Sequence, residues 1–384
     1  MPAPNLMIKL CVEGWKKINH SYAIVNQKQL IELSKLSIYL RHKDIKYLSK
    51  EWNELENFNG FSHEENNILD SIKKPLDDEI FDITLRISFP YNYDACNSKK
   101  LFVFGTAEYQ NIDNHHKYKN LKKIILNNPI NIITPSNWSK VGFVNSGFDP
   151  DRVAVIPHGV DTLNFFSIDN QIKNKVKRNF GIEEDDFVIL NVGSMTENKG
   201  IDYLLVAFFI LKEKYDNLKL ILKDQSNLFK INASKYLKKM KESKYSNLIN
   251  DKNIKDIIVI SKNLSVTELN NLYNIADCYV SPYRAEGFNL TPMEAASSGT
   301  PIIVTKGGST DDYFDSCLGV QVDSKLIHNN NKTMLEPNLD SLIDNILKIK
   351  MSKSKFDKKK SQEYLMKNYS WKKITSKIID LISK

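Results

Sequence analysis

Short β-rich runs alternate with amphipathic helical segments along this chain, and that alternation constrains its fold more than any other feature. It predicts parallel sheets with helices packed on both faces. The predicted strands of the first half are residues 7–12, 83–87, 100–104, 131–134 and 153–156. Those of the second half are residues 187–192, 218–223, 257–261, 278–281 and 301–305. Apolar residues at helical spacing predict helices over residues 21–40 and 200–214.

The length of 384 residues exceeds what one ordinary hydrophobic core supports and fits two domains. Because both halves show the same alternation, we expect an α/β protein with two doubly wound, Rossmann-like domains. A turn with proline and glycine at residues 157–161 marks the boundary. We therefore predict a first domain over residues 1–165, a second over residues 166–368, and a last helical segment over residues 369–384.

The composition indicates a folded globular protein, with 41% hydrophobic and 26% charged residues. Four widely spaced cysteines argue against a zinc ribbon or a disulfide framework and favour a reducing compartment. The start lacks a signal-peptide pattern and no apolar run reaches about 18 residues, so we expect a cytoplasmic protein. The net charge of +8 is mostly scattered lysine. It indicates a solvated surface rather than a nucleic-acid site, and it leaves open a weak peripheral attraction to anionic lipid membranes.

The first candidate site follows the predicted strand at residues 187–192, where Gly193 allows close approach of the backbone. A helix begins near Gly200, and its free N–H groups and dipole favour an anion. Lys199 is placed to add a positive charge beside that helix start. An ordinary strand–turn–helix corner with an exposed lysine has the same pattern, so this segment alone does not decide between the two interpretations.

The second candidate loop follows the predicted strand at residues 278–281 and contains Glu286. A helix is predicted to start at Thr291, with Pro292 at its first helical position. Thr291 and Glu294 have the spacing of a capping box, which gives Glu294 a structural explanation that Glu286 lacks. Because both loops follow parallel strands, we expect them at one carboxyl edge, where such sheets bind ligands.

Glu286 and Glu294 have the E-x7-E spacing of retaining glycosyltransferases with the GT-B architecture, two Rossmann-like domains facing a cleft. The run EGFNLTPMEAASSGTPIIVT resembles glycosyltransferase family 4, of the glycosyl transferases group 1. VGSMTENKGIDYLLVAF resembles the diphosphate loop of that family, and TPSNWSKVGFVNSGFDPDRVAVIPHGVD resembles its interdomain segment. With TELNNLYNIADCYVSPYRAEGF, these matches follow in order over about residues 131–315. The resemblance implies a retaining enzyme of the EC 2.4 class. It would move a hexose-type sugar from a nucleoside-diphosphate sugar to a glycan, lipid or protein acceptor, without a permanently bound cofactor.

By position, the resemblance assigns Glu286 to the donor-sugar hydroxyls, Glu294 to the ribose hydroxyls and Lys199 to the diphosphate. The backbone against the sugar and phosphates would be that of Gly287, Phe288 and Asn289. The residues flanking the nucleotide base would be Lys262, Asn263 and Leu264. Glu286 and Lys199 are thus the catalytic candidates. Negative charge grows on the diphosphate and positive charge on the sugar ring in the transition state, which this arrangement would stabilise.

Ser194 stands at the donor-site position where the family usually has an arginine beside the lysine. Loss of that bidentate cation would weaken stabilisation of the leaving diphosphate. Either another cation such as Arg284 replaces it, or the activity is low, or the protein only binds sugar nucleotides. A nucleotide-sugar epimerase of the same architecture is a further alternative and would need additional acid/base residues. A dehydrogenase is disfavoured because no G-x-G-x-x-G follows a strand.

The first half carries a weaker signal, in which the loop EGWKKINHS resembles a subset of the family reading G-W-x-x-I-N-H-S-Y. Gly14 would approach the donor phosphates there. Residues 19–21 would lie near the acceptor or cap a helix, with Ser21 as the candidate N-cap. Arg86 belongs to a segment resembling R-x-x-x-P, and Glu108 stands where many members have a histidine.

Several other segments have structural interpretations. Asp149-Pro150-Asp151 matches the D-x-D metal pattern of another glycosyltransferase architecture, but its proline indicates a turn, so we expect no metal requirement. His158 is expected in the hinge region. Residues 115–116 and 328–331 are expected on exposed loops. The last helix, residues 371–382, starts with a Ser-Trp pair similar to the family's C-terminal helix, which crosses back to the first domain.

Overall fold

The computed structural model describes residues 7–50, 52, 60–113, 115–242, 245–249, 251–352 and 356–384. The strands, in chain order, are β1 Lys9–Gly14, β2 Tyr39–Asp44, β3 Phe81–Ile87, β4 Ser98–Phe104, β5 Ile130–Thr134, β6 Val153–Val155, β7 Phe187–Val192, β8 Leu218–Lys223, β9 Ile257–Ile260, β10 Cys278–Ser281, β11 Ile302–Thr305, β12 Gly319–Val322, β13 Ser324–Asn329 and β14 Lys332–Pro337. The helices are α1 Ser21–Ser34, α2 His63–Ser71, α3 Leu121–Asn127, α4 Asn137–Asn145, α5 Asn170–Asn179, α6 Ile201–Lys212, α7 Ser226–Phe229, α8 Ala233–Lys241, α9 Asp251–Ile254, α10 Val266–Ile275, α11 Leu290–Ser297, α12 Leu339–Met351, α13 Lys358–Tyr369 and α14 Trp371–Ile382.

Two compact units divide the chain. Unit 1 comprises Met1–Gly159 and Trp371–Lys384, and unit 2 comprises Val160–Ser370. The change at Val160 is earlier than the sequence boundary between residues 165 and 166. Hydrogen bonds join both ends of residues 160–165 to unit 2, since the Val160 amide donates to the Tyr369 carbonyl at 2.7 Å and the Ser297 hydroxyl donates to the Phe165 carbonyl at 2.6 Å.

Unit 1 is built on a parallel six-stranded sheet in the order β2-β1-β3-β4-β5-β6. In β1 every residue after Lys9 is buried, as expected for a parallel strand covered by helices on both faces. Helix α14 packs against α1 and buries Trp371, Ile374 and Ile378 at helical spacing. Residues far apart in the chain therefore share one core.

Unit 2 contains a second parallel sheet in the order β12-β11-β10-β7-β8-β9. All six residues of β7 are buried, and α6 contributes Leu204, Leu205 and Phe208 to the core beside it. The strands β13 and β14 form a separate antiparallel hairpin. The strand β7 and its neighbour β10 both end at the carboxyl edge of the sheet, which positions the two loops predicted to bind the donor.

Two predicted elements are wrong in ways that have physical causes. The helix predicted to reach residue 40 ends at Ser34, and Leu40 lies in β2, because the leucine spacing continues across a turn into a strand. The polar loop predicted at residues 328–331 is partly strand, because His328 pairs with Thr333 across the hairpin. This hairpin is exposed and polar, so its sequence lacks the apolar–polar alternation from which strands are predicted.

Candidate active site

Two loops meet at the carboxyl ends of β7 and β10 in unit 2. The strands pair in parallel, with Cys278 opposite Ile189 and Tyr279 opposite Leu190. The Tyr279 hydroxyl donates to the carbonyl of Val192, the last residue of β7, at 3.0 Å. Ligands of open α/β sheets bind outside this edge, so the loops lie where their chemistry is useful.

Backbone hydrogen bonds hold these two loops together. The Asn198 carbonyl accepts from the amides of Arg284 at 2.7 Å and Ala285 at 3.2 Å. The Asn198 side chain donates to the Ala285 carbonyl at 3.0 Å. Gly200 has a left-handed φ of 66°, and a Cβ built on it would lie 1.9 Å from the Pro282 carbonyl oxygen. The glycine therefore permits the close approach of one loop to the other.

Lys199 and Glu286 form an ion pair between these loops, from Nζ to Oε1. The Glu286 side chain is 6% exposed and that of Lys199 is 25% exposed. The structure thus brings together the two residues that the sequence selected as catalytic candidates. A cation and a carboxylate side by side at a strand edge can serve the two opposite charges of a glycosyl transition state.

Ser194 lies between β7 and Lys199 and is buried, with its hydroxyl 2.9 Å from that of Thr196. Arg284, the suggested replacement for the missing arginine, has other partners in this structure. Both terminal nitrogens of the Arg284 guanidinium contact the Asp202 carboxylate, and Nη1 also donates to the Glu197 carbonyl at 2.9 Å. Arg284 thus fixes the start of α6, and its replacement of the missing arginine stays a prediction.

The predicted capping box at Thr291 is also wrong. Helix α11 begins at Leu290 after Asn289, so Thr291 is inside the helix. Its hydroxyl lies 2.6 Å from that of Tyr279. The Glu294 Oε2 atom accepts from the Tyr273 hydroxyl at 2.7 Å. Glu294 therefore lacks the capping role that its spacing indicated, which removes the simplest structural explanation of that residue.

Residues Gly287 to Asn289 are buried, and contacts with neighbouring side chains hold this loop in place. Asn289 has a left-handed φ of 70°, donates from its side chain to the Ser281 hydroxyl at 2.9 Å, and accepts at its carbonyl from Tyr313 at 3.0 Å. The Phe288 ring lies 5.1 Å from the Tyr313 ring. These contacts fix the conformation of the loop.

Lys262, Asn263 and Leu264 join β9 to α10 at the same edge of the sheet. Lys262 is exposed and its ammonium lies 3.1 Å from the Glu268 carboxylate. Ser265 and Glu268 form a capping box at the start of α10, which fixes the end of this loop.

Sequence reasoning missed Asp224, a fully buried carboxylate directly after β8. Its Oδ2 accepts from the Ser261 hydroxyl at 2.9 Å and from the Ala233 amide at 3.0 Å. It therefore ties the loop after β8 to the end of β9. The sequence signal that could have identified Asp224 is a charged residue directly after an apolar strand.

In unit 1, Gly14 is the last residue of β1 and packs against α1. A Cβ at this position would lie 2.6 Å from the Asn26 side chain, so packing alone already requires glycine. The predicted N-cap Ser21 is the first residue of α1, and the cap is His20, whose Nδ1 accepts from the Tyr22 amide at 3.2 Å. Glu13 forms a buried ion pair with Arg86 at 2.5 Å, which gives that arginine a structural role.

The other predicted features of unit 1 also have local partners. His158 is buried between the rings of Phe104 and Trp371, at 5.2 Å and 6.2 Å. Burial lowers the pKa of His158 to about 3. His115 is half-buried, 5.4 Å from the Phe89 ring, rather than on an exposed loop. The Glu108 carbonyl accepts from the Trp138 indole at 2.7 Å.

Asp149 caps the turn Pro150–Arg152, accepting from the Asp151 amide at 3.0 Å. Within the described residues, histidine, cysteine, aspartate and glutamate nowhere gather in a group of three able to hold a metal ion. In the same residues, every helix is too short or too polar to cross a bilayer.

Residues 172–356 match the family model described as glycosyl transferases group 1. Mannosylfructose-phosphate synthase of Agrobacterium fabrum is 28% identical over 162 residues, 42% of this chain and 34% of that protein. D-inositol 3-phosphate glycosyltransferase of Pseudarthrobacter chlorophenolicus is 28% identical over 46% of this chain and 40% of that protein. Lipopolysaccharide 1,2-N-acetylglucosaminetransferase of Salmonella typhimurium is 24% identical over 68% of this chain and 64% of that protein. The matched segments span less than two thirds of each relative.

Solved structures resemble the chain over almost its whole length. HepE of Anabaena, solved with UDP and glucose, has a TM-score of 0.69 at 13% identity and covers 98% of this chain and 100% of its own. WaaG, a glycosyltransferase involved in lipopolysaccharide biosynthesis, has a TM-score of 0.63 at 13% identity and covers 97% and 99%. The predicted GT-B fold of two Rossmann-like domains is therefore confirmed.

Proposed function

We propose that this chain, whose residues 172–356 match the glycosyl transferases group 1 family model, is a retaining glycosyltransferase. It would move a hexose-type sugar from a nucleoside-diphosphate sugar to a glycan, lipid or protein acceptor. As the family resemblance implies, the leaving phosphate would deprotonate the acceptor on the same face of the sugar. No metal is required in this proposal, since Lys199 supplies the positive charge at the diphosphate.

The ion pair of Lys199 with Glu286 carries the proposal. A diphosphate arriving at the carboxyl edge would compete for the Lys199 ammonium and free the Glu286 carboxylate for sugar hydroxyls. The two side chains would then follow the charge separation of the reaction, the cation at the leaving group and the carboxylate at the sugar. An isolated lysine or glutamate at a strand end would stabilise only one of these two charges.

Other residues of unit 2 complete the proposed donor site. Glu294 would accept from the ribose hydroxyls, and the backbone N–H groups of residues 287–289 would face the sugar and phosphates. Ser194 would lie beside the diphosphate, and residues 262–264 would flank the base.

Similar proteins support the donor class but leave the acceptor open. HepE was solved with UDP and glucose and also with UDP-glucose, which supports a nucleotide sugar as donor here. The names of the curated relatives include a synthase of mannosylfructose phosphate and an N-acetylglucosaminetransferase of lipopolysaccharide, so acceptors differ within the family. We place the reaction in the cytoplasm, consistent with four unbonded cysteines, with at most a weak peripheral association with membranes.

A second candidate function is a weakly active or silent sugar-nucleotide-binding protein of the same fold. The position of Arg284 favours it, because pairing with Asp202 makes this cation a poorer replacement for the arginine missing at Ser194. Binding of the donor would remain, but stabilisation of the leaving group would fall.

Donor hydrolysis with a panel of UDP-, GDP- and ADP-sugars separates the two functions. We expect one donor to be hydrolysed by the wild type, and Glu286→Ala to reduce the rate by about 100-fold or more, as loss of a transition-state contact does. Glu213→Ala, an exposed glutamate of unit 2, is the matched control and should hydrolyse normally. Wild-type turnover in Glu286→Ala would refute the assignment, and donor binding without turnover in the wild type would favour the silent binder.

A further inference from the structure

Unit 1 contains a cavity of about 390 Å³ that the donor-site proposal does not use. It is lined by Lys16, Lys17, Asp44, Asp70, Ile72, Lys73 and Lys74. Its volume lies within the range of small-molecule sites, and four lysines face two aspartates, so positive charge is in excess.

The cavity lies at the carboxyl edge of the unit 1 sheet. Lys16 and Lys17 follow the end of β1, and Asp44 is the last residue of the adjacent parallel strand β2. Asp70 belongs to the last turn of α2, and Ile72 and the two further lysines follow that helix. Three segments thus converge where sheets of this type bind ligands.

The loop that carries Lys16 and Lys17 is fixed in an unusual conformation. Lys17 has a left-handed φ of 59°, which non-glycine residues adopt only when the surroundings impose it. Its amide donates to the buried Gln27 side chain at 3.1 Å. The Lys16 carbonyl accepts from the Tyr47 hydroxyl at 2.8 Å. Strain of this kind concentrates at functional sites, and here it sets the direction of two cations.

The aspartates hold the lysines in place without cancelling their charge. Lys16, with a side chain only 14% exposed, lies 3.5 Å from Asp44, and Lys74 lies 3.4 Å from the same carboxylate. Lys17 lies 3.2 Å from Asp70. One carboxylate is therefore shared by two ammonium groups, which leaves donor N–H bonds for a ligand.

We propose that this cavity binds a phosphate-class anionic group carried by the acceptor. Lysine ammonium groups act as point charges with three donors each, which suits the several oxygens of a tetrahedral oxyanion. The cavity is larger than one phosphate, so part of the molecule that carries it also fits, against Ile72. That the ligand is an acceptor rests on the proposed function; that the cavity binds the anion does not.

Isothermal titration of the full chain with inorganic phosphate tests the binding step. Lys73→Gln/Lys74→Gln removes two exposed charges of the cavity, and we expect the dissociation constant to rise about 10-fold. Lys16→Gln should act in the same direction, with its fold checked by circular dichroism because that lysine is largely buried. Lys122→Gln/Lys123→Gln, an exposed lysine pair on α3, is the matched control and should bind like the wild type.

The same variants titrated with UDP separate the cavity from the donor site. We expect UDP binding to be unchanged in Lys73→Gln/Lys74→Gln. Unchanged phosphate affinity in both cavity variants would overturn the proposal, as would a parallel loss of UDP affinity, which would assign the lysines to the donor. Binding to anionic lipid vesicles without binding to free phosphate would also overturn it. If phosphate binding depends on the cavity but no donor is hydrolysed, the cavity stands and the proposed function fails.

Discussion

Lys199 and Glu286 neutralise one another before any ligand arrives. Glu286 is the more deeply buried partner, and a buried carboxylate needs a cation or hydrogen-bond donors to remain charged. The pair therefore gives this carboxylate its counter-charge at the edge of the sheet, and under the proposed function a donor diphosphate would compete with it for the lysine. Lys199 would then favour binding of the nucleotide and Glu286 would oppose it, whereas catalysis would need both.

Lys199→Ala should weaken binding of the preferred nucleoside diphosphate about 10-fold, because a charge-assisted contact is lost. Glu286→Gln should bind the same ligand as well as the wild type or better, since Lys199 is released from its partner. Both dissociation constants can be measured by calorimetry, with Lys214→Ala, an exposed lysine of unit 2, as control. An unchanged constant for Lys199→Ala would refute its role at the diphosphate.

Ser194 offers a gain-of-function test. Ser194→Arg should raise nucleoside-diphosphate affinity about 10-fold over Ser194→Gln, because both side chains are larger and polar but only arginine is charged. The comparison is needed because Ser194 is buried and any larger residue must displace its surroundings. Equal affinities of the two variants would show that this position does not face the phosphates.

At the scale of elements, the contact between the loop before α6 and the loop after β10 depends on one glycine. Gly200 and Gly181 have nearly the same left-handed φ, 66° and 65°, but a Cβ on Gly181 meets nothing within 4 Å. Gly181→Ala should therefore lose about 1–2 kcal/mol of unfolding free energy from its conformation alone. Gly200→Ala should lose at least about 2 kcal/mol more, from the collision with Pro282. Hydrogen exchange of unit 2 amides measures both, and similar losses would contradict the close approach.

Regular elements in the core were predictable from sequence, and polar or local ones were not. The strands at Phe187–Val192 and Leu218–Lys223 were predicted to the residue, because a buried parallel strand is a continuous apolar run between turns. The start of α11 was not, because Asn289 adopts a left-handed conformation fixed by Tyr313, which lies in a distant part of the sequence. Local cap rules placed that start at Thr291 instead.

The candidate site shows the same division. Glu286 and Lys199 were selected from loop position and family resemblance, and their ion pair is consistent with that choice. The partner of Arg284 could not be predicted, because Asp202 is distant in sequence and meets it only through sheet pairing. Asp224 was missed for a similar reason, since its burial depends on Ser261 from the next strand.

At the scale of the whole molecule, the tryptophans and the histidines with a lowered pKa all belong to one unit. All four tryptophans, Trp15, Trp52, Trp138 and Trp371, belong to unit 1. The histidines whose pKa is lowered also belong to it, and they are His20, His42, His115, His116 and His158. Tryptophan fluorescence therefore reports unfolding of unit 1 without a signal from unit 2.

Unit 1 should lose stability as the pH falls below about 6.5, the ordinary pKa of histidine. Burial lowers the pKa of His158 to about 3 and that of His20 to about 4, so between these values and 6.5 only the unfolded chain binds the protons. Each such histidine lowers the unfolding free energy by about 1.4 kcal/mol per pH unit in that window. Urea titrations followed by tryptophan fluorescence at pH 7 and pH 5 measure how the unfolding free energy changes with pH. His158→Gln should reduce this change, and His328→Gln, in unit 2, should not. The same change in the wild type and in both variants would contradict the lowered pKa of His158.

The return of α14 to unit 1 sets an order of events during synthesis on the ribosome. The residues of unit 1 up to Gly159 emerge first, but the helix that packs against α1 follows the whole of Val160–Ser370. At about 5–20 residues per second, translation of that stretch takes roughly 10–40 s. Unit 2 is contiguous and can complete its core in that time, while the apolar face of α1 still lacks α14. The nascent first unit is therefore a natural client for chaperones until the last helix arrives.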